Sequence, residues 1–397
     1  MFMDNGGQIM KAGRGDLPLD GVRVISFEQF GAAPYATMFL ADFGAEVLKV
    51  EMPEGDFARR TAPLTLGDGD SLYFQSMNLN KKSIVIDLRD TDDRSFFEKL
   101  VAVSDVVVNN LRGTAASKLG LDYAALGCLR PSVVCGHISA FGRDNSRADR
   151  PGYDFLMQAE AGLMSLTGEP GGPPSRIGVS MIDYMTGMML AFGVVSAVLG
   201  ARRTGLGTDV DACLFDSALH QLGYQGAWYL NEGIVTGRTP RSAHPSNTPV
   251  QLFRTFDGWV YVACMTEKFW LLLVEAVGRP DLAKDPRFAS QQARLSHRDA
   301  LTGALDAVFG ASSTADWVSR LGAIIPIAPV YDLAQALENP FLEETGMISE
   351  IGHPRRGKMR VLSNPIRIGG ARLPQSCAPA LGEHTAGLRA ALGNDPK

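Results

Sequence analysis

Short β-branched runs alternate with helical stretches through the first third of the chain, and this alternation constrains the fold more than any other feature. Val22-Arg-Val-Ile-Ser-Phe27 reads as a strand, and Gly31-Ala-Ala-Pro34 leads from it into an apolar helical pattern through Tyr35, Met38, Phe39 and Ala41 to Phe43. Gly44 stops that helix, and Val47-Leu-Lys-Val-Glu51 is the next strand. Strand, helix and strand in this order make a βαβ unit, which closes right-handed with its strands parallel. The pattern repeats at residues 83–87, in a helix near 94–103, and at strands 106–109 and 133–138. Such a series predicts an α/β fold with a doubly wound, Rossmann-like parallel sheet.

A long helix over about 184–203 closes this region, with Arg202 and Arg203 in its last turn, where cations suit the helix dipole, and Gly205 as its C-cap. Its most apolar stretch, 185–199, is interrupted by Gly187 and Gly193 and is short for a bilayer span, so it reads as a buried helix. Met181, Met185, Met188 and Met189 are expected to fill core. Beyond it the pattern changes. Pro240, Pro245 and Pro249 mark a linker, and residues 250–264 read as two strands joined at Asp257-Gly258, a hairpin signal. Helices follow around 269–277 and 315–321, and 360–368 reads as a strand returning to the first domain. The expected organisation is a flexible tail over 1–17, a large domain over 18–225, a smaller α+β domain with linkers over 226–335, and a C-terminal segment over 336–397 that rejoins the large domain.

Composition narrows the function. The chain of 397 residues is 45% hydrophobic and 20% charged, enough to bury a sizeable core. Its net charge of −5 offers no electrostatic footprint for nucleic acid. Five cysteines, odd in number and without a C-x-x-C, indicate neither a disulfide framework nor a zinc knuckle and fit a reducing cytoplasm. The six histidines show no H-x-x-x-H spacing, so no metal site is expected. The first 17 residues lack the apolar region of a secretory signal.

The first βαβ unit invites a nucleotide reading, with Glu51 where a ribose partner would sit. Its turn is not G-x-G-x-x-G, however, and Pro34 removes an N–H that would face a pyrophosphate, which leaves a nicotinamide-dependent oxidoreductase as a distant alternative. Asp183 stands directly before the long apolar helix and, taken alone, reads as its N-cap.

Several segments carry a resemblance: Leu19-Asp-Gly-Val-Arg-Val24, Leu40-Ala-Asp-Phe-Gly-Ala45, Lys49-Val-Glu51, Asn80-Lys81 with Ser83-Ile, Gly152-Tyr-Asp154, Asp183, Arg203-Thr-Gly-Leu-Gly207 and Leu381-Gly-Glu-His-Thr385. In their order they resemble the class III CoA-transferases, the formyl-CoA transferase and carnitine or bile-acid CoA-transferase type, over nearly the whole chain. The resemblance implies a homodimer of interlocked chains. It implies transfer of CoA from an acyl-CoA donor to a small carboxylic acid through a covalent intermediate on Asp183, a carboxylate expected to be ionised at neutral pH. It also implies a CoA site built from Gly31, Ala32, Ile86, Arg89, Asn110, Leu111 and Lys118. The CoA thioesters are substrates, with no permanently bound cofactor and no membrane or nucleic-acid partner.

Two departures stand out. Met52-Pro53 occupies a place where some formyl-CoA transferases carry arginine, and Ser246-Asn-Thr-Pro249 lacks the glycine run that in them closes over the intermediate. An α-methylacyl-CoA racemase is the nearer alternative. Tyr153 stands where those enzymes have a histidine, and an ordinary tyrosine is a poor base at neutral pH.

Overall fold

The computed structural model describes residues 17–61, 63–67 and 69–393, so the expected tail lies outside the described residues except for Leu17. Among these, six strands form a wholly parallel sheet: β1 (Arg23–Phe27), β2 (Glu46–Glu51), β3 (Lys82–Val85), β4 (Val106–Asn109), β5 (Val134–Ser139) and β6 (Thr208–Cys213). Between them run α1 (Ala32–Asp42), α2 (Leu72–Asn78), α3 (Thr91–Ala102), the short α4 (Ala115–Lys118) and α5 (Tyr123–Leu126), then α6 (Asp154–Glu160), α7 (Leu163–Leu166) and α8 (Met181–Thr204), with α9 (Leu214–His220) after β6. Val106, Val107 and Val108 of β4 are wholly buried, as strands covered on both faces must be.

The strand order β3-β2-β1-β4-β5-β6 reverses direction between β1 and β4. At such a switch point the connections leave toward opposite sides and open a crevice at the carboxyl ends of the strands. Here the crevice falls between residues 28–31, which lead from β1 into α1, and residues 110–112, which follow β4. Asn110 ties the two loops together, donating to the Gln29 carbonyl at 2.8 Å and accepting the Gln29 N–H at 3.2 Å.

Buried charge lies under this crevice. Glu28 accepts from Lys81 Nζ at 2.7 Å and from Thr37, while Lys49 Nζ donates to the Glu28 carbonyl and to Asp56. All four ionic side chains are buried, and each cation has an anion within hydrogen-bonding reach, which makes the burial tolerable. Glu51 is similarly committed: Arg59 holds both its oxygens at 2.6 and 2.7 Å, and Ser83 and the Asp56 N–H donate to it as well. Burial alone would raise its pKa, but Arg59 outweighs that and holds it low. No acceptor is left over for a ribose.

α8 begins three residues before the helix expected over 184–203, and its last turn ends at Gly205 in the left-handed conformation. Ile182, Thr186, Gly187, Leu190, Val194, Val198 and Ala201 form a single buried stripe at helical spacing. The opposite face is open, with Met188, Phe192 and Leu199 exposed by 45%, 77% and 65%. The helix is therefore buried on one side only, and none of the four methionines belongs to the fully buried core. With 24 residues and a mean hydropathy of 1.7 over its most apolar stretch, it also has the length and composition to cross a membrane. In this fold it packs on α1, β5 and β6. Its crossing with α1 is close: a Cβ on Gly187 would stand 2.5 Å from the Ala32 carbonyl oxygen, so a side chain there would push the helices apart.

The strand expected over 360–368 is broken at Ser363-Asn364-Pro365 into two antiparallel hairpins, Ile348–His353 with Gly357–Leu362 and Arg367–Ile368 with Ala371–Arg372, and neither joins the central sheet. The return to the sheet is made farther on. β3 is an edge strand, and the Ser83 and Val85 N–H groups donate to His384 Nδ1 at 3.3 Å and Thr385 Oγ1 at 2.9 Å. The 381–385 motif thus closes an open sheet edge.

By their contacts the residues form two compact units. The first comprises residues up to 161, 177–221 and those from 340 on; the second comprises 162–176 and 222–339. Residues 162–176, expected within the large domain over 18–225, belong by their contacts to the second unit. That unit contains an antiparallel sheet in the order β7 (Val250–Arg254), β8 (Trp259–Ala263), β9 (Ile327–Pro329), turned at Asp257-Gly258, and a core that includes Phe253, Trp270, Leu305, Phe309 and Trp317.

Candidate active site

A cleft of about 420 Å³ occupies the switch point. Gln29, Phe30, Gly31 and Ala32 line it from the β1 side, Asn110, Leu111 and Arg112 from the β4 side, Ser139 and Ala140 from the end of β5, and Tyr153 and Asp183 from the start of α6 and α8. Phe30 adopts a left-handed backbone, φ 63°, with its ring against Phe57.

Asp183 is not the N-cap of α8. The cap position is Ser180, whose side chain makes no capping bond, and Asp183 lies within the first turn. The capping carboxylate belongs instead to Asp154, at the start of α6. Its Oδ2 accepts the Ile182 N–H at 2.6 Å and the Asp183 N–H at 3.1 Å, satisfying donors that a helix start leaves unpaired. Gln158, one turn along α6, donates to Asp154 Oδ1 at 2.6 Å and accepts the Ile177 N–H at 2.8 Å, which fixes the polarity of the chain of bonds. This division of labour frees the Asp183 side chain, and its carboxylate accepts no hydrogen bond among the described residues.

The carboxylate points at the turn after β1. A Cβ built on Gly31 would stand 2.8 Å from Asp183 Oδ2, so only glycine leaves the oxygen its place. Asp183 and Gly187 are one helical turn apart on the same face, and the contact of Gly187 with α1 is what brings Asp183 up to Gly31. Burial, and then the negative Asp154 beside it, push the Asp183 pKa up to about 7. It is therefore a weaker acid than the residue type alone suggests. Tyr73 on α2, pushed up to about 12 by burial and by the charge of Asp183, stays protonated.

Four of the seven residues expected to bind CoA, Gly31, Ala32, Asn110 and Leu111, share the cleft with Asp183. Ile86 and Arg89 line a second cavity of about 300 Å³, together with Leu88 and Leu119, and Asn110 and Leu111 wall both cavities. Arg89 is exposed and already holds Asp87 through two nitrogens, at 2.9 and 2.7 Å. Lys118 is exposed on α4 and lines neither cavity. Sequence reasoning gave no role to Arg112, Asp154 or Tyr73. The switch-point rule alone would have pointed to Arg112, which follows Leu111 at the carboxyl end of β4. Among the described residues no cluster of three or more His, Cys, Asp or Glu could hold a metal ion.

A doubly wound parallel sheet whose switch-point cleft carries a half-buried, unpaired carboxylate defines an α/β protein with ligand chemistry at its strand ends. The chain belongs to CoA-transferase family III, whose profile matches residues 19–385. It is 33% identical to an acetyl-CoA:oxalate CoA-transferase of Acetobacter aceti, covering 94% of this chain and 95% of that one. It is 32% identical to the succinyl-CoA:glutarate CoA-transferase of Mus musculus, covering 93% of this chain and 85% of the relative. A crystal structure of a CAIB/BAIF family protein from Brucella suis superposes with a TM-score of 0.83 at 35% identity, over 95% of this chain and 99% of that one.

Proposed function

We propose that this CoA-transferase moves CoA from an acyl-CoA donor to a small carboxylic acid through covalent intermediates on Asp183. The observation that carries the reading is the Asp183 carboxylate itself, which accepts no hydrogen bond among the described residues and faces the switch-point cleft against Gly31. Its ionised oxygen attacks the donor thioester carbonyl and expels CoA thiolate, leaving a mixed anhydride. The thiolate attacks the aspartyl carbonyl and releases the donor acid, leaving an aspartyl-CoA thioester. The acceptor carboxylate attacks that thioester to form a second anhydride, and the returning thiolate takes the acceptor acyl group and restores the Asp183 carboxylate. Each step exchanges one acyl bond for another, and no redox change occurs. A carboxylate of raised pKa is the more nucleophilic for it once ionised, so burial serves the chemistry.

The two cavities support a placement for the coenzyme. The adenosine end takes the apolar cavity of Ile86, Leu88 and Leu119, and the thioester arm passes the shared wall of Asn110 and Leu111 toward Asp183. Arg89 reaches phosphate only by sharing or leaving Asp87. Relatives named for oxalate, mesaconate and glutarate support small dicarboxylic acids as the acceptor class. The open apolar face of α8 supports association with a second copy of the chain.

The test is intact mass of the purified protein after incubation with a panel of acyl-CoAs, with hydroxylamine trapping and peptide mapping. An adduct on Asp183 with at least one donor is expected. No adduct with any donor, together with α-proton exchange of a branched acyl-CoA in heavy water, would replace transfer with racemase chemistry.

A further inference from the structure

Two lysines buried beneath the turn from β1 into α1 each give a proton to its main chain. Lys49 Nζ donates to the Glu28 carbonyl at 2.9 Å, where the turn begins, and Lys81 Nζ donates to the Pro34 carbonyl at 2.8 Å, in the first turn of α1. The other protons of Lys81 go to Glu28 Oε1 at 2.7 Å and Asn78 Oδ1 at 2.9 Å, and Lys49 also holds Asp56 at 2.8 Å. Neither lysine side chain is exposed, and neither lines the Asp183 cleft. Between the two held carbonyls lie Phe30, Gly31 and Ala32, which do line it. Phe30 sits there in the left-handed region, at φ 63°, a conformation that a bulky residue keeps only when its surroundings fix it.

Charge pairing alone does not account for this arrangement. The two lysines balance Glu28 and Asp56, and a buried ion pair can often be exchanged for apolar side chains without loss of stability. Apolar side chains cannot hold a carbonyl. An ammonium group has three donors and holds a carboxylate and a main-chain oxygen together, with its charge strengthening both bonds. The held turn is the one against which Asp183 rests: its Oδ2 lies 2.8 Å from where a Cβ on Gly31 would stand, so a shift of the turn changes what surrounds that oxygen. We propose that Lys49 and Lys81 are positioning residues, which fix the turn by its two ends and thereby set the distance between Gly31 and the Asp183 carboxylate. This deepens the proposed transferase reading and rests on it for the role of Asp183.

The test uses two charge-balanced double variants, Lys81→Met with Glu28→Gln and Lys49→Met with Asp56→Asn. Each removes one hold on the turn without stranding a charge, and because they act at opposite ends, either one that folds decides the matter. Aspartyl adduct formation is followed in single turnover at varied acyl-CoA concentration. Hydrogen exchange is followed by mass spectrometry in peptides covering the start of α1, where the Tyr35 N–H donates to the Gly31 carbonyl at 2.8 Å. The adduct rate at saturating donor is expected to fall roughly 100-fold, the cost of misplacing a reacting group by about an ångström. The donor concentration at half the maximal rate changes by less than about threefold. Exchange at the start of α1 rises at least about tenfold while β1 stays protected. An adduct rate within about twofold of wild type would overturn the proposal, for a rate effect is what positioning means. So would exchange that rises equally in β1 and across the sheet, since that is loss of global stability and not release of the turn. A wild type that forms no adduct with any donor would overturn the transferase reading, and exchange at the start of α1 then still decides whether the lysines hold the turn.

Discussion

The Cβ that Gly31 lacks would sit 2.8 Å from Oδ2 of Asp183, closer than a carbon and an oxygen approach without displacement. The Gly31 backbone, at φ −108°, is open to any L-residue, so strain in the main chain is not what demands glycine there. The carboxylate is.

Gly31→Ala is therefore expected to leave folding intact and to displace the proposed nucleophile, Asp183. Misplacing a reacting group by about an ångström costs on the order of 100-fold in rate. Single-turnover formation of the aspartyl adduct, followed by mass spectrometry, measures it. An unchanged rate would mean that the observed carboxylate position is not the reactive one.

The proposed reaction uses Asp183 in its ionised state, and burial with the neighbouring Asp154 pushes its pKa up to about 7. Adduct formation should rise tenfold per pH unit below that midpoint and level off above it. Asp154→Asn removes the neighbouring charge and should move the midpoint to lower pH, leaving the part due to burial. The nearby Tyr73 and Tyr184, both raised by burial and by the Asp183 charge, remain neutral through this range. A wild-type midpoint below 5 would show that Asp183 is solvated in solution.

Stability carries the same signature with a definite sign. The folded protein holds the Asp183 proton more tightly than the unfolded chain, so this group favours folding most below about pH 4 and progressively less up to about pH 7. Asp183→Asn removes that cost. It is expected to stabilise the protein by about 2–4 kcal/mol at pH 8 and by almost nothing at pH 4. Chemical denaturation at the two pH values decides it, and an equal effect at both would point to packing instead.

Lys81 and Glu28 form a buried pair at 2.7 Å. Lys81→Met strands most of the Glu28 charge and is expected to destabilise the protein by about 3–5 kcal/mol in urea melts at pH 7. Adding Glu28→Gln should recover much of that loss, because a neutral amide costs less to bury than an unpaired carboxylate. A double variant as unstable as the sum of the two single variants would show that the pair is not coupled.

Part of the candidate site was legible in the sequence. The βαβ alternation predicts the parallel sheet, and the motif order singles out Asp183 together with Gly31, Ala32, Asn110 and Leu111, which the fold gathers into one cleft. The resemblance implies Arg89 and Lys118 as well, and neither joins that cleft: Arg89 is held by Asp87 beside the second cavity, and Lys118 lines neither cavity. The break at residues 363–365 was missed because β-branched runs on either side of a proline look continuous in one dimension.

By itself the sequence determined the periodicities, and through them the elements, their handedness and the carboxyl-end location of any ligand site, since these depend on neighbours a few residues apart. Only the tertiary structure decided what Asp183 is chemically. Its helix starts a turn earlier than local preference suggests because Asp154, 29 residues away, supplies the cap. Its oxygen is freed by that cap, placed by the approach of Gly187 to α1, and made a weaker acid by burial and by Asp154. Each of these is a property of distance in space, and a carboxylate becomes a nucleophile or a helix cap according to which groups the fold sets beside it.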